Sequence, residues 1–313
     1  MKLNKPKFWN EKNSILSIIL FPISLIVIFL IFLKKKTTKT LRFNIPVICV
    51  GNIYIGGTGK TPTSIFIANA LKQISKNPVI LRKYYKGHND EHNLIKKYFN
   101  NLIICHDRVE GIKQAEINNF DTVILDDGFQ DCQIKKNLNI LCFNQNQLLG
   151  NGRVLPAGPL RENLSSVKNA NIIVINGRKN LEFEKKILGI NQNLEIFYSY
   201  YHPVNIDQFK NKNLLAIAGI GNPDNFFKLL RENNLNIEKK LFFPDHYQFT
   251  KKELKNITEE ANNKNQQIIM TEKDYFRIKH FNINDIAYLK VSLIIDNKEN
   301  FLQSIIKLYD KKN

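Results

Sequence analysis

A run of small residues followed by a lysine has the types and spacing of a loop that binds phosphate groups. The run is Gly56, Gly57, Thr58, Gly59, Lys60 and Thr61. Glycines allow the backbone to turn its N–H groups toward phosphate oxygens, and the lysine reaches the β- and γ-phosphates of a nucleotide. The Thr61 hydroxyl can bind Mg²⁺, and the helix that should begin here contributes its dipole. The usual pattern has glycine where this chain has Tyr54, yet the strand–loop–helix context favours a nucleotide site over an empty glycine-rich turn.

Two adjacent carboxylates, Asp126 and Asp127, follow the apolar run Thr122–Leu125. An apolar strand that ends in aspartate is typical of the second metal-holding element of nucleotide hydrolases and kinases with such a loop. The alternative is a turn in which an aspartate caps the next element. Beside a phosphate-binding loop, we expect Mg²⁺ to be held by Thr61 together with Asp126 or Asp127.

Two further clusters contain groups that can carry protons. The segment His88–His92 (HNDEH) holds two carboxylates and two imidazoles. It is compatible with a metal cluster, an acid–base site or a helix start with Asp90 as its N-cap, and the residues alone favour the cap. The segment Phe243–Phe249 (FPDHYQF) places His246 in a loop, where a single histidine is more often structural.

The elements that must position these residues alternate between short apolar runs and helical stretches. Fully apolar runs of this kind predict strands of a parallel sheet covered on both faces. They lie at Ile45–Val50, Pro78–Leu81, Leu102–Cys105, Thr122–Leu125, Leu138–Phe143 and Ile172–Ile175. With helices over residues 61–74 and 108–118, the pattern predicts a P-loop NTPase-like, doubly wound, mostly parallel α/β sheet.

A second alternation of the same kind begins near Leu214, with helices expected over residues 222–234 and 250–264. It predicts a second, smaller α/β domain. We therefore divide the chain into an N-terminal membrane anchor (residues 1–42), a nucleotide-binding core domain (43–200) and a C-terminal domain (201–313). The loop over residues 144–163 is rich in Gly, Asn and Pro and too long for a simple connector, which is typical of a functional loop.

The run Ser14–Leu33 contains no charged residue and is flanked by lysines on both sides. As a helix, twenty residues reach about 30 Å, the thickness of the hydrocarbon core of a bilayer. A cleaved signal peptide would have a shorter apolar region ending in small residues, whereas this run continues into FLKKK. The run predicts a retained membrane helix, which either spans the bilayer or enters one leaflet.

The composition of the 313 residues is that of a globular protein and excludes a disordered or collagen-like chain. The net charge of +18 suits a polyanionic partner, such as an anionic membrane surface, although a composition biased to Lys, Asn and Ile produces the same excess. No basic patches interleaved with aromatic residues were found, so a nucleic-acid partner is not expected. The four cysteines lack metal-ligand spacing and suit a reduced compartment. Oligomeric state is left open.

Taken together, the motifs resemble those of the tetraacyldisaccharide 4′-kinase family of lipid A biosynthesis. They follow one another along nearly the whole chain in that family's order: VGN with GGTGKTP, DDGFQ, GNGRVLPAGPLRE (Gly150–Glu162), AGIGNP, FPDHYQF and TEKD (Thr271–Asp274). The family's SRGYG stretch corresponds to Leu81–Tyr85, in which Arg82 and Tyr84 match. The histidine that usually follows DDGFQ is Asp131 here.

The resemblance implies a bacterial inner-membrane enzyme with its active site on the cytoplasmic side. It would transfer the γ-phosphate of ATP to the 4′-hydroxyl of a tetraacylated glucosamine disaccharide 1-phosphate. It further implies a cleft between two domains, with Asp90 as catalytic base paired with His246. Because a guanidinium forks onto phosphate oxygens, we expect Arg161 to stabilise the transferring group or grip a substrate phosphate, with Glu162 orienting it.

Another interpretation is a membrane-tethered regulatory P-loop ATPase, which would keep GGTGKT and DDGFQ but has no use for GNGRVLPAGPLRE. A phosphoryl-transfer assay with a disaccharide 1-phosphate acceptor, compared with ATP hydrolysis without acceptor, distinguishes the two.

Overall fold

The computed structural model describes residues 6–85, 89–245 and 247–310, with residue 89 described in its backbone only. The described chain forms two compact units. The larger unit comprises the residues up to Tyr84, Phe99–Tyr200 and the residues from Leu293 onward. The smaller unit comprises Tyr85–Tyr98 and Tyr201–Ser292.

The strands and helices alternate along most of the chain. The strands are β1 (Val47–Gly51), β2 (Pro78–Lys83), β3 (Leu102–Cys105), β4 (Thr122–Asp126), β5 (Leu138–Asn144), β6 (Ile172–Asn176), β7 (Glu195–Pro203), β8 (Asn213–Ala218), β9 (Asn236–Phe242), β10 (Gln267–Thr271), β11 (Ile286–Leu289) and β12 (Val291–Ile295). The helices are α1 (Ile15–Thr37), α2 (Lys60–Gln73), α3 (Asn89–Tyr98), α4 (Arg108–Ile117), α5 (Leu181–Leu188), α6 (Pro223–Glu232), α7 (Lys251–Asn263), α8 (Glu272–Ile278) and α9 (Lys298–Asp310).

The sheet of the larger unit has the strand order β12-β7-β6-β5-β1-β4-β2-β3 within the described residues. Strand β1 lies between β4 and β5 and pairs with both in parallel. All five residues of β1 are buried, as are those of β4, because helices and loops cover both faces. The order reverses direction at β1, and the carboxyl edge of such a sheet is where ligands bind. The predicted doubly wound sheet is confirmed.

The core of this unit consists of the apolar strand residues predicted from the sequence, together with Phe and Leu side chains from the covering elements. Cys49 lies within this core, and Cys142 of β5 is buried as well. Burial raises the pKa of each of these thiols to about 12, so they remain protonated and behave as small apolar side chains.

The sheet of the smaller unit has the order β11-β10-β8-β9, and its neighbouring strands are parallel. Helices α6 and α7 occupy the predicted stretches, and they are three and two residues shorter than expected, respectively. Thr250 begins α7 with a capping box, in which its side chain accepts from the Glu253 N–H and the Glu253 side chain accepts from the Thr250 N–H.

The division of the chain differs from the predicted one in three segments. The described part of the predicted anchor, residues 6–42, belongs to the larger unit and is not a separate unit. Residues 85–98, which include α3, belong to the smaller unit, although we expected them in the nucleotide-binding domain. Residues from Leu293 onward return to the larger unit, where we expected them in the C-terminal domain. The physical reason is pairing and packing: α3 packs on α8, and β12 extends the larger sheet beyond β7.

Helix α1 contains the predicted apolar run and is long and apolar enough to cross a membrane, by length and composition. Most of its large side chains are exposed, Ile15 and Ile19 among them. Its two buried residues are Ser17 and Ser24.

Candidate active site

The phosphate-binding loop connects the end of β1 to the start of α2. Gly56 and Gly59 have φ angles of 89° and 93°, which lie in the left-handed region that favours glycine. Gly59 is the N-cap of α2, and Lys60 is the first helical residue. The first N–H groups of a helix have no intrahelical partner and can donate to an anion.

Asn52, which directly follows β1, holds the phosphate-binding loop through side-chain hydrogen bonds. Its buried side chain donates to Thr58 Oγ1 at 2.9 Å and to the Gly56 carbonyl at 3.4 Å. Gln130 of the DDGFQ motif donates in turn to the Asn52 carbonyl at 2.8 Å. The loop is therefore held by side-chain contacts in addition to its own backbone.

Asp126 receives hydrogen bonds from three side chains at the carboxyl edge of the sheet. Thr61 Oγ1 donates at 2.9 Å, Ser64 Oγ donates at 3.3 Å, and Arg82 forms a buried ion pair. Arg82 also donates to Thr61 Oγ1 at 3.3 Å. Arg82 matches a motif of the family in the sequence, but no role in the site was predicted for it. A charged residue at the end of an otherwise apolar strand is the signal that points to it.

Asp127 lies between two cations. The nearest atom of Arg161 is 2.8 Å from Asp127 Oδ1, and Lys60 Nζ is 3.8 Å away. Burial by itself would raise the pKa of Asp127, but the Lys60 and Arg161 charges outweigh it and hold that pKa well below its usual range. Burial lowers the pKa of Lys60, and the charge of Asp127 opposes this effect. The structure thus brings together Lys60, Asp127 and Arg161.

Arg161 is positioned by the backbone of the loop that precedes it. Its N–H donates to the Ile53 carbonyl at 2.7 Å, and the Ile55 N–H donates to the Pro159 carbonyl at 3.0 Å. The neighbouring Glu162 is 3% exposed and pairs with Lys35 of α1. We expected Glu162 to orient Arg161, but Glu162 forms its ion pair with Lys35, on the helix that contains the apolar run.

Asp90 is the second residue of α3 and lies in the smaller unit. Arg277 Nε donates to Asp90 Oδ2 at 2.8 Å, and Arg277 Nη2 lies 2.7 Å from the same oxygen. Capping of the helix by Asp90 is not confirmed, because α3 begins before Asp90. Among the described residues, no group of three or more His, Cys, Asp and Glu is placed to hold a metal ion, so the HNDEH segment is not such a cluster in its described part.

The TEKD segment holds Arg277 in place. Asp274 is fully buried, accepts from the Gly219 N–H at 2.9 Å and from Thr271 Oγ1 at 2.5 Å, and pairs with Arg277. Arg277 also donates to the Gly219 carbonyl at 2.7 Å. Burial raises the pKa of Asp274, and the Arg277 charge opposes that rise.

His246, the expected partner of Asp90, lies outside the described residues. The residue before it, Asp245, is 3.8 Å from Lys273 Nζ. The same Nζ is 3.9 Å from Asp90 and 2.8 Å from Glu91. The predicted division of the chain assigns Asp90 and His246 to different domains, but Asp90 belongs to the unit that contains Tyr201–Ser292.

Comparisons with known proteins match nearly the whole chain to one family. The family model described as tetraacyldisaccharide-1-P 4′-kinase matches residues 16–309. A tetraacyldisaccharide 4′-kinase of Pelagibacter ubique (strain HTCC1062) is 41% identical over 318 residues, 99% of this chain and 100% of that protein. Another, from Rickettsia akari (strain Hartford), is 33% identical over 325 residues, 98% of each chain.

Among solved structures, the crystal structure of "apo" form LpxK from Aquifex aeolicus in complex with ATP has a similar fold. Its TM-score is 0.70 at 24% identity, covering 94% of this chain and 99% of that one. Since the family model and the relatives cover nearly the full length, the chain belongs to the tetraacyldisaccharide 4′-kinase family.

Proposed function

We propose that the protein transfers the γ-phosphate of ATP to the 4′-hydroxyl of a tetraacylated glucosamine disaccharide 1-phosphate, a step of lipid A biosynthesis. The observation that carries this proposal is the cluster of Lys60, Thr61, Asp126, Asp127 and Arg161 at the carboxyl edge of β1 and β4, in a chain of this family. Membership of the family supplies the acceptor, and the cluster supplies the means of holding a nucleotide.

The phosphate-binding loop performs the positioning that phosphoryl transfer requires. The left-handed glycines allow the backbone between Gly56 and Gly59 to wrap the phosphates, and Lys60 supplies a positive charge. Lys60 is paired with Asp127 in this structure, so the phosphates would compete with that carboxylate for the ammonium group. A charge held in a partly buried site stabilises the charge that develops on the transferring group.

The oxygen atoms of Thr61, Asp126 and Asp127 fit the ligand preferences of Mg²⁺, which favours hydroxyl, carboxylate and phosphate oxygens. Thr61 Oγ1 and Asp126 are already within hydrogen-bond distance of each other. These three residues would hold the ion, which neutralises phosphate charge when bound. Arg82 forms a buried ion pair with Asp126 and fixes the orientation of its carboxylate.

Arg161 is the side chain that we propose contacts the transferring phosphoryl group or the 1-phosphate of the acceptor. Its side chain is 27% exposed, and its backbone N–H is bonded to the Ile53 carbonyl beside the phosphate-binding loop. A planar guanidinium binds two phosphate oxygens at once, which a lysine does not. Glu162 contributes indirectly, by fixing the loop that carries Arg161 to Lys35.

We further propose that Asp90 accepts the proton of the attacking 4′-hydroxyl, with His246 as its partner. As the oxygen attacks the γ-phosphorus, the bond to the β–γ bridging oxygen breaks and ADP leaves. The shared contact of Asp90 and Asp245 with Lys273 supports this pairing, because Asp245 directly precedes His246. General-base catalysis by such a carboxylate contributes about 10²–10⁴-fold.

The acceptor is an acylated lipid, and α1 with its basic flanks suits the surface where such a lipid lies. Lys34, Lys35 and Lys36 form the last turn of the helix. Basic side chains next to an apolar segment are attracted to anionic headgroups. We propose that α1 attaches the protein to the bacterial inner membrane, with the active site on the cytoplasmic side.

The test is transfer of labelled γ-phosphate to a detergent-solubilised disaccharide 1-phosphate, run beside ATP hydrolysis without acceptor. We expect acceptor-dependent transfer, which Lys60→Ala lowers by about 10³-fold or more while the protein still folds. Lys72→Ala is the matched control, since Lys72 is an exposed lysine on the same helix α2.

Acceptor-independent hydrolysis at the full rate would instead identify a regulatory ATPase. Normal transfer by the Lys60→Ala protein would remove the phosphate-binding role of the loop.

A further inference from the structure

One narrow face of α1 is buried, although the helix exposes most of its apolar side chains. Ser17 and Ser24 on that face are fully buried. They are seven residues apart, which is about two helical turns, and so they lie above one another on the same side. A polar side chain in a buried position is retained where its hydroxyl has partners.

The partners of both hydroxyls are backbone and side-chain groups of the GNGRVLPAGPLRE loop. Ser24 Oγ donates to the Val154 carbonyl at 2.7 Å and accepts from the Ala157 N–H at 3.0 Å. Ser17 Oγ donates to the Ala157 carbonyl at 2.6 Å and accepts from Asn151 Nδ2 at 2.9 Å. Both hydroxyls therefore donate and accept at the same time, and they fix the loop at Asn151, Val154 and Ala157.

The bonded part of the loop leads directly to the active-site arginine. Leu155 N–H donates to the Leu160 carbonyl at 2.9 Å, and Leu160 N–H donates to the Arg153 carbonyl at 3.1 Å. These bonds close residues 153–160 into a compact turn, and its next residue, Arg161, contacts Asp127. The pair of Glu162 with Lys35 fastens the far end of the loop to the same helix.

We propose that Ser17 and Ser24 are positioning residues for phosphoryl transfer: through the 151–162 loop they set the place of Arg161 beside the phosphate-binding loop. The helix expected to lie at the membrane is thereby also a structural part of the active site. This inference rests on the proposed function. A helix that served only as a tether would make no such set of buried polar contacts with the loop that carries Arg161.

The experiment compares the full-length protein in detergent with Ser24→Ala and with the Ser17→Ala, Ser24→Ala double variant. We measure kcat, KM for ATP, sedimentation with anionic vesicles, and amide hydrogen exchange over residues 151–162. We expect the double variant to lose about tenfold in kcat and to exchange the loop amides faster. Sedimentation should be unchanged, because the exposed apolar face of α1 is intact. Protection of the β1 amides reports that the fold is retained.

Thr37→Val is the control, because the Thr37 hydroxyl donates to the Leu33 carbonyl of its own helix and is exposed. It should change neither kcat nor loop exchange. The single Ser24→Ala variant removes fewer contacts, so we expect a smaller loss of kcat and a smaller increase in loop amide exchange. It serves as the test if the double variant does not fold.

If the amides of residues 151–162 exchange no faster in the serine variants than in wild type, Ser17 and Ser24 do not hold this loop in place. Faster loop exchange with an unchanged kcat would overturn the positioning role, as would a loss of kcat without faster exchange. Failure of the wild-type protein to phosphorylate the acceptor would count against the proposed function alone, because the exchange measurement does not depend on it.

Discussion

Asp127 is the residue of the site that contacts both of its cations, Lys60 and Arg161. Its backbone has a φ of 63°, a conformation that aspartate and asparagine adopt more readily than most residues. That conformation directs the side chain to a place where Lys60 and Arg161 both contact it. Without a nucleotide, the carboxylate compensates the two cations that are proposed to bind phosphate.

The lowered pKa of Asp127 predicts a pH-dependent stability. A carboxyl with a folded-state pKa below its unfolded value of about 3.9 stabilises the fold fully above that pH and loses this contribution as the pH falls through the folded pKa. We expect Asp127→Asn to lower the free energy of unfolding by about 1.5–3 kcal/mol near pH 7. The difference from wild type should shrink below about pH 4. Thermal melts across a pH series measure it.

Asp207→Asn serves as the control for this series, since Asp207 is 82% exposed and pairs with Lys210 on the surface. A difference between wild type and the Asp127→Asn variant that stays constant from pH 7 to pH 3 would contradict the role given to Lys60 and Arg161.

A second prediction at this scale concerns Arg277, which brings two nitrogens to one oxygen of Asp90. A lysine keeps the charge but has no planar fork, so Arg277→Lys should leave Asp90 less well oriented. We expect kcat to fall by about 10–100-fold, with KM for ATP changed less than about twofold, since Lys60 and Thr61 are untouched. Steady-state kinetics in both substrates give the two constants.

Arg231→Lys, at an exposed arginine of α6, is the matched control and should be neutral. An Arg277→Lys enzyme with normal kcat would mean that Arg277 does not position the proposed base.

At the scale of elements, the junction of β1 and α2 depends on the conformation of Gly59. An alanine at a φ of 93° is strained by about 1–3 kcal/mol, and relief of that strain would displace the loop from the phosphates. We therefore expect Gly59→Ala to weaken ATP binding by at least about tenfold, measured by calorimetry. Gly189→Ala is the control, because Gly189 has an ordinary helical φ of −62°. Equal affinity in both variants would contradict the argument.

The elements of the nucleotide site were predictable because their strands are continuous apolar runs. Strand β1 is buried throughout, and its run is visible in the sequence. Strand β7 was not predicted. It is buried only in part, and its sequence mixes polar and aromatic residues, so it is not a continuous apolar run. The pairing of Arg82 with Asp126 also escaped prediction, since it depends on β2 lying next to β4. Strand order is a tertiary property that local patterns do not specify.

For the molecule as a whole, the sequence indicated two α/β units but not how the chain divides between them. Local patterns show that residues 89–98 and 298–310 can be helical, but not which sheet each helix covers. The chain enters the smaller unit at Tyr85, leaves it after Tyr98, and enters again at Tyr201. After Ser292 it returns to the larger unit. Asp90, the proposed base, and the proposed phosphate-binding residues are therefore carried by different units, while the last helix belongs to the nucleotide-binding unit.

That return of the chain makes the C-terminal helix α9 a part of the nucleotide-binding unit. Phe301 is fully buried, with its ring 5.1 Å from Phe197 of β7 and 6.0 Å from Phe66 of α2, measured between ring centroids. Tyr309 hydrogen-bonds to Thr122 at the start of β4 at 2.7 Å. Helix α9 thus contacts both α2 and β4, the two elements that carry Lys60 and Asp126.

Phe301→Ala should accordingly destabilise the nucleotide-binding unit by about 3–5 kcal/mol, the usual cost of removing a buried phenylalanine side chain. We expect a lower melting temperature that ATP partly restores, because a ligand of the folded state stabilises it. Gln303→Ala, at an exposed position of the same helix, should melt as wild type does.

Removing residues 298–310 should abolish ATP binding. A truncated protein that binds ATP with normal affinity would show that the larger unit is complete without its C-terminal helix.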